Sequence, residues 1–132
     1  MPVPYGVMAE GPDITRQARR FRRLGHRRIH GFQVLVADDP VSRLLGLALL
    51  DRHRAPDGLL IPRCRSVHTF GMRFPLDLLF FGRGGEPLIA VREVGPGHRL
   101  RVPEADSVLE LPSDWDVDKW DDRTGLDLKG EG

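Results

Sequence analysis

LDLLFF, residues 76–81, decides the fold, because both of its alternating sets are apolar. Leu76, Leu78 and Phe80 form one set, and Leu79 and Phe81 the other. Side chains alternate across a strand, so a segment apolar on both faces is a strand covered from both sides. Asp77 is the exception. A carboxylate in that setting is costly unless hydrogen-bonded, so backbone N–H groups and a nearby Arg are expected around it. Pro75 lacks a ladder donor and suits the start of the strand.

Outward from this strand, Gly-rich turns punctuate further apolar segments. Upstream lie a first strand in "RIHGFQVLVA", with Phe32, Val34 and Val36 facing one way, and a short strand in "GLLIP". Downstream come the turn "GRGG", a strand across "PLIAVREV", the turn "GPG" and strands near "HRLRV" and "SVLEL". Between the first two strands "DDPVSRLLG" predicts a helix of about two turns. Asp39 can accept from an orphan N–H, Pro40 suits the first helical position, and Gly46 suits the stop. The predicted fold class is mainly β, a compact antiparallel sandwich or barrel-like domain with one short helix.

At 132 residues the chain has room for one domain with a real core. The expected organisation is a flexible basic N-terminal arm over 1–28, a mainly β domain over 29–112 and an acidic C-terminal arm over 113–132. Residues 1–30 carry seven Arg against Glu10 and Asp13, and residues 113–132 carry seven acids against three bases. Ile14, Ala18, Phe21 and Leu24 recur at helical spacing, which predicts a basic helix over 14–28. Such a helix could meet an acidic surface, nucleic acid or an anionic membrane. In "SDWDVDKWDD" two Trp stand among five Asp, and an irregular arm with its Trp side chains lying on the body is expected. No apolar run approaches the roughly 20 residues needed to span a bilayer, and the N-terminus lacks a basic-then-apolar signal pattern. A cytoplasmic location is expected, and the single Cys excludes an internal disulfide.

The chemistry-bearing residues concentrate in "CRSVHTFGMRFPLD", residues 64–77. As a straight strand this segment would place Cys64, Ser66, His68, Phe70 and Met72 on one face, unless Gly71 breaks the parity. A binding pocket could use Ser66, His68, Thr69, Met72 and Asp77 as polar and soft groups at the edge of an apolar cavity. A small hydrolase or transferase would instead use Cys64 as nucleophile, His68 as base and Asp77 as orienter. Nothing after Cys64 supplies a helix N-terminus or Gly-rich elbow to activate it. Cys64 and His68 are two ligands where a transition metal wants three or four, so neither a metal nor another cofactor is expected. The loop "GRGGEP" runs into a strand rather than a helix, and is a hairpin turn rather than a phosphate cradle.

The segments "DPVSRLLGLALL", "DGLLIPRCRSVHTFGMRFPLDLLFF" and "SVLELP" together resemble the prokaryotic family known as domain of unknown function 192. The likeness covers about residues 32–112 and is most specific in "HTFGMRFPLDLLF". It implies a compact sandwich-like β domain with a short helix before the signature, and no established reaction or cofactor. After "LEL" the family continues with a Gly and a Gly-Asp-containing strand, from which "PSDWDVDKWDDRTGLDL" departs. The expected function is therefore a non-enzymatic binding or accessory module for a small ligand or a protein partner. The Cys/His enzyme is the alternative, and weak nucleic-acid association through the Arg-rich arm ranks last.

Overall fold

A computed structural model describes residues 18–115. Eight strands form two sheets around one short helix. In chain order they are β1 (His26–Ile29), β2 (Phe32–Val36), α1 (Pro40–Leu45), β3 (Leu59–Pro62), β4 (Ser66–His68), β5 (Leu76–Phe81), β6 (Pro87–Val94), β7 (Arg99–Arg101) and β8 (Ser107–Pro112). The larger sheet has the order β1-β2-β3-β8-β5-β6, and β4 pairs with β7 in the smaller one. The larger sheet is open, with β1 and β6 as its edges, so the sandwich reading holds and closure into a barrel does not. All pairings are antiparallel except β2 with β3. That parallel pair requires a crossover, and the crossover carries α1.

The alternation in LDLLFF divides the interior as expected, and every residue of β5 is buried. Leu76, Leu78 and Phe80 join Leu59, Ile61 and Val108 on one face, packed against Phe21, Leu47, Val67 and Met72. Leu79 and Phe81 join Val34, Leu60, Leu109 and Leu111 on the other, with Trp115 packed against them. Each fully buried Leu or Phe is worth about 1.5–3 kcal/mol relative to an exposed one, so this central strand anchors both layers. The helix begins and ends where the sequence predicts: Asp39 accepts from Ser42 N at 2.8 Å, and Gly46 takes φ +53° after Leu45.

Three expectations fail in the N-terminal third. Ala18, Phe21 and Leu24 are buried in the larger cluster, so residues 18–28 belong to the body rather than to a flexible arm. They form a 3-10 turn at Arg19–Phe21 followed by β1, not a helix. The same apolar spacing that fits one helical face also lets Phe21 and Leu24 point inward from a tight turn. The segment "RIHGFQVLVA" is a hairpin of two strands rather than one, turning at His30 and Gly31, both at positive φ. Residues 1–17 and 116–132, including the rest of both arms and Trp120, lie outside the described residues. No helix among the described residues is long and apolar enough to cross a membrane.

Candidate functional site

The C-terminal turn of α1 and the loop after it meet β8 across a single carboxylate. In β8, Val108 and Glu110 share a face, and Glu110 pairs with Leu59 of β3 and Leu78 of β5. Directly paired residues project to the same side, so Glu110 points into the larger core cluster beneath the α1 loop. Leu47 N donates to Glu110 Oε1 at 3.3 Å. Gly46 is required there twice over: its φ is +53°, and a Cβ would stand 2.7 Å from Glu110 Oε1. Arg20 ties down the other side of the loop by donating to the carbonyls of Gly46 and Ala48. Arg43 reaches from α1 to the carbonyls of Pro62 and Arg63.

These groups enclose a cleft of about 30 Å³, whose walls include Arg43, Leu44, Cys64, Ser66 and His68, with Glu110 at its floor. That is room for about two water molecules or the tip of one side chain. Burial pushes the Glu110 carboxyl up to about 7, against the lowering pull of Leu47 N–H and Arg20. Its ionisation is therefore balanced near neutral pH, where an ordinary Glu is fully charged.

His68 is held in one tautomer. Phe70 N donates to Nδ1 at 3.3 Å, which leaves the proton on Nε2, 3.2 Å from the carbonyl of Leu44. Its ring stacks on Phe70 with centroids 5.6 Å apart. Cys64 donates its thiol to the carbonyl of Ser66 at 3.2 Å, and burial pushes that thiol up. The surroundings of Cys64 on balance disfavour its thiolate, and both nitrogens of His68 are engaged with backbone rather than with sulfur. The geometry does not assemble the nucleophile and base of the enzyme reading.

Asp77 stands apart from both. It pairs with Leu111, which faces the second cluster, so it lies on the opposite side of the sheet from Glu110 and the cleft. Its carboxylate accepts from Glu93 N at 2.7 Å, Ser113 Oγ at 2.7 Å, Trp115 Nε1 at 2.6 Å and Arg92 Nε at 3.2 Å. This is the expected satisfaction by backbone and Arg, extended by a Ser and a Trp. Thr69 is also fully buried: it donates to Gly95 O and accepts from His98 N, each at 2.8 Å, and so fixes the turn before β7. Met72 is a core residue. Of the residues selected from sequence, then, Cys64, Ser66 and His68 come together, and Thr69, Met72 and Asp77 do not join them. The segment is not a straight strand over 64–72: β4 spans Ser66–His68, and Gly71 takes φ +79° in the turn that follows.

Glu110, Arg43 and Arg20 were not singled out from sequence. The signal for Glu110 was present in "SVLEL", where an acid interrupts an apolar strand as Asp77 interrupts its own. Leu44, in the wall of the cleft, is 69% exposed, and Phe70, stacked on His68, 50%; Leu49 is 55% exposed nearby on the loop after α1. Leu49 lies over Gly71, where a Cβ would meet its Cδ2 at 3.1 Å. Among the described residues no group of three or more His, Cys, Asp or Glu side chains could hold a metal ion.

An open β-sandwich with a helix-bearing crossover and a small polar cleft at the helix end defines the class of domain. The model of the DUF192 family, described as uncharacterized ACR, matches residues 22–127, and the chain belongs to that family. The family carries no assigned function. No curated protein matches the chain. Two solved structures are similar to it. A candidate transcription regulator from Sinorhizobium meliloti 1021 is 25% identical with a TM-score of 0.51, covering 62% of this chain and 69% of its own. A protein of unknown function from Novosphingobium aromaticivorans DSM 12444 is 15% identical with a TM-score of 0.52, covering 89% and 94%. The second likeness concerns the fold alone.

Proposed function

We propose that the protein is a non-catalytic binding module that recognises its partner at the mouth of the α1–β4 cleft. The observation that carries this reading is the exposure of Leu44 and Phe70 on either side of His68, above a nearly buried carboxyl. A cleft of about 30 Å³ is far below the several hundred Å³ of a metabolite pocket, so the partner contributes one hydrogen-bonding tip and makes its remaining contact on the rim. Apolar anchors around one polar centre are the usual anatomy of a recognition hot spot. Ser66 and His68 act at this surface. Thr69, Met72 and Asp77 support it from within the fold.

The test is a fragment titration of the full chain followed by amide NMR, using small amides, amines and alcohols with apolar bodies. Shifts concentrated at Leu44–Leu47, Cys64–Phe70 and Glu110, and abolished by Glu110→Gln with Phe70→Ser, are expected. Fragments that cluster elsewhere, or none that perturb these amides, would sink the proposal.

A further inference from the structure

A second, wider groove lies away from that cleft. Its volume is about 680 Å³, and its walls are Arg19, Arg20, Arg22, Arg23, Asp39, Pro40 and Val41. Of its four arginines, only Arg20 has a partner for its side chain among the described residues. Arg20 bonds the Gly46 and Ala48 carbonyls and sits over the Phe21 ring at 5.1 Å. Arg19, Arg22 and Arg23 are exposed, and none forms an ion pair among the described residues, where Arg52, Arg73 and Arg92 all do. The one acid in the groove, Asp39, is already occupied as the cap of α1.

The basic surface continues onto the sheet edge. β1 is an edge strand, and its His26 and Arg28 pair with Leu35 and Gln33 of β2. Leu35 belongs to the same core cluster as Phe21 and Leu24, so His26 and Arg28 project to the side on which the arginine turn packs. From Ala18 to Ile29 the chain contains no acidic residue. A row of guanidinium groups facing a single carboxylate along a groove carries a net positive charge, the arrangement that meets a phosphate backbone.

We propose that this groove and the exposed face of β1 bind the phosphate backbone of nucleic acid, without reading base sequence. Arg19, Arg22 and Arg23 are the main contacts, and Arg28 extends the track. The Pro40–Val41 end forms a wall and not a base-reading surface, since it offers no side-chain donor. The inference is independent of the cleft.

The experiment is fluorescence anisotropy of a labelled 20-base-pair DNA duplex of mixed sequence with the full chain, from 20 to 200 mM salt. Three or four phosphate contacts predict a log–log salt slope of about −3, and little change when the duplex sequence is altered. Arg19→Gln/Arg22→Gln/Arg23→Gln should weaken binding at least tenfold at 50 mM salt and reduce the slope to about −1, the share left to Arg28. The control variant Arg65→Gln/Arg99→Gln/Arg101→Gln removes equal charge from exposed positions elsewhere and should bind like the parent. Circular dichroism confirms that both variants are folded. Equal loss in the two variants, no binding at 20 mM salt, or tighter binding to phosphatidylserine vesicles than to the duplex would each overturn the proposal.

Discussion

Asp77 and Glu110 stand one register step apart on neighbouring strands and face opposite sides of the same sheet. Both are buried, yet their surroundings differ in kind. Asp77 has four donors from four residues, whereas Glu110 has one backbone N–H. The first is a structural keystone beneath the C-terminal end of β8, and the second is an under-satisfied acid at the floor of a cleft.

The Glu110 carboxyl makes stability depend on pH. Its folded value of about 7 lies above the ordinary value of 4.5, so between these limits the unfolded chain binds fewer protons than the folded one. Stability therefore falls as pH rises from 4.5 to 7 and levels off above. The loss from this group is on the order of 3 kcal/mol. Urea titrations at pH 5 and pH 8 should show that drop in the parent and little of it in Glu110→Gln. An unchanged pH dependence in the variant would mean that another group is responsible.

Removing Asp77 should be costly in a graded way. Asp77→Ala strands the donors of Glu93 N, Ser113 and Trp115 and should cost about 3 kcal/mol, while Asp77→Asn keeps one acceptor oxygen and should cost about half as much. Chemical denaturation measures both. Because the residue is across the sheet from the cleft, folded Asp77→Asn should bind cleft-directed fragments like the parent; loss of that binding would connect the two sides.

Cys64 should react slowly. Its thiol is pushed up by burial and donates to Ser66 O, so alkylation by iodoacetamide at pH 7.5 should run at least tenfold slower than for a free thiol and accelerate on unfolding. Rapid alkylation of the native chain would reinstate the nucleophile reading.

Gly46 and Glu110 should be energetically coupled. Gly46→Ala places a methyl 2.7 Å from Glu110 Oε1 on a left-handed backbone and should destabilise by about 2–4 kcal/mol. Glu110→Ala alone removes the acceptor of Leu47 N. The double variant should be more stable than the sum of the single changes predicts, because the steric part disappears while the backbone part remains. Strict additivity in denaturation would show that the contact carries no strain.

Much of the sandwich was legible because strand periodicity and turn chemistry are local. The double-sided pattern of Leu76–Phe81, the Asp39–Pro40 start and Gly46 stop of α1, and the turn after Phe81 were all readable from neighbours in sequence. The N-terminal turn was not, since Phe21 and Leu24 fit two geometries that only tertiary packing separates. The cleft was half legible: Cys64, Ser66 and His68 lie close together in the chain, but their fourth member is Glu110. Its bond to Leu47 spans 63 positions, and no sequence spacing reports such a meeting.

The position of β8 has a further consequence. It is the last strand of the described chain, yet it lies between β3 and β5 in the middle of the sheet. A nascent polypeptide halted before Ser107 would leave β3 and β5 with unfilled seams and the future recognition surface without its floor. The domain therefore becomes competent only once this strand has been made, and shortened products lacking it present two sticky ribbons open to misassembly.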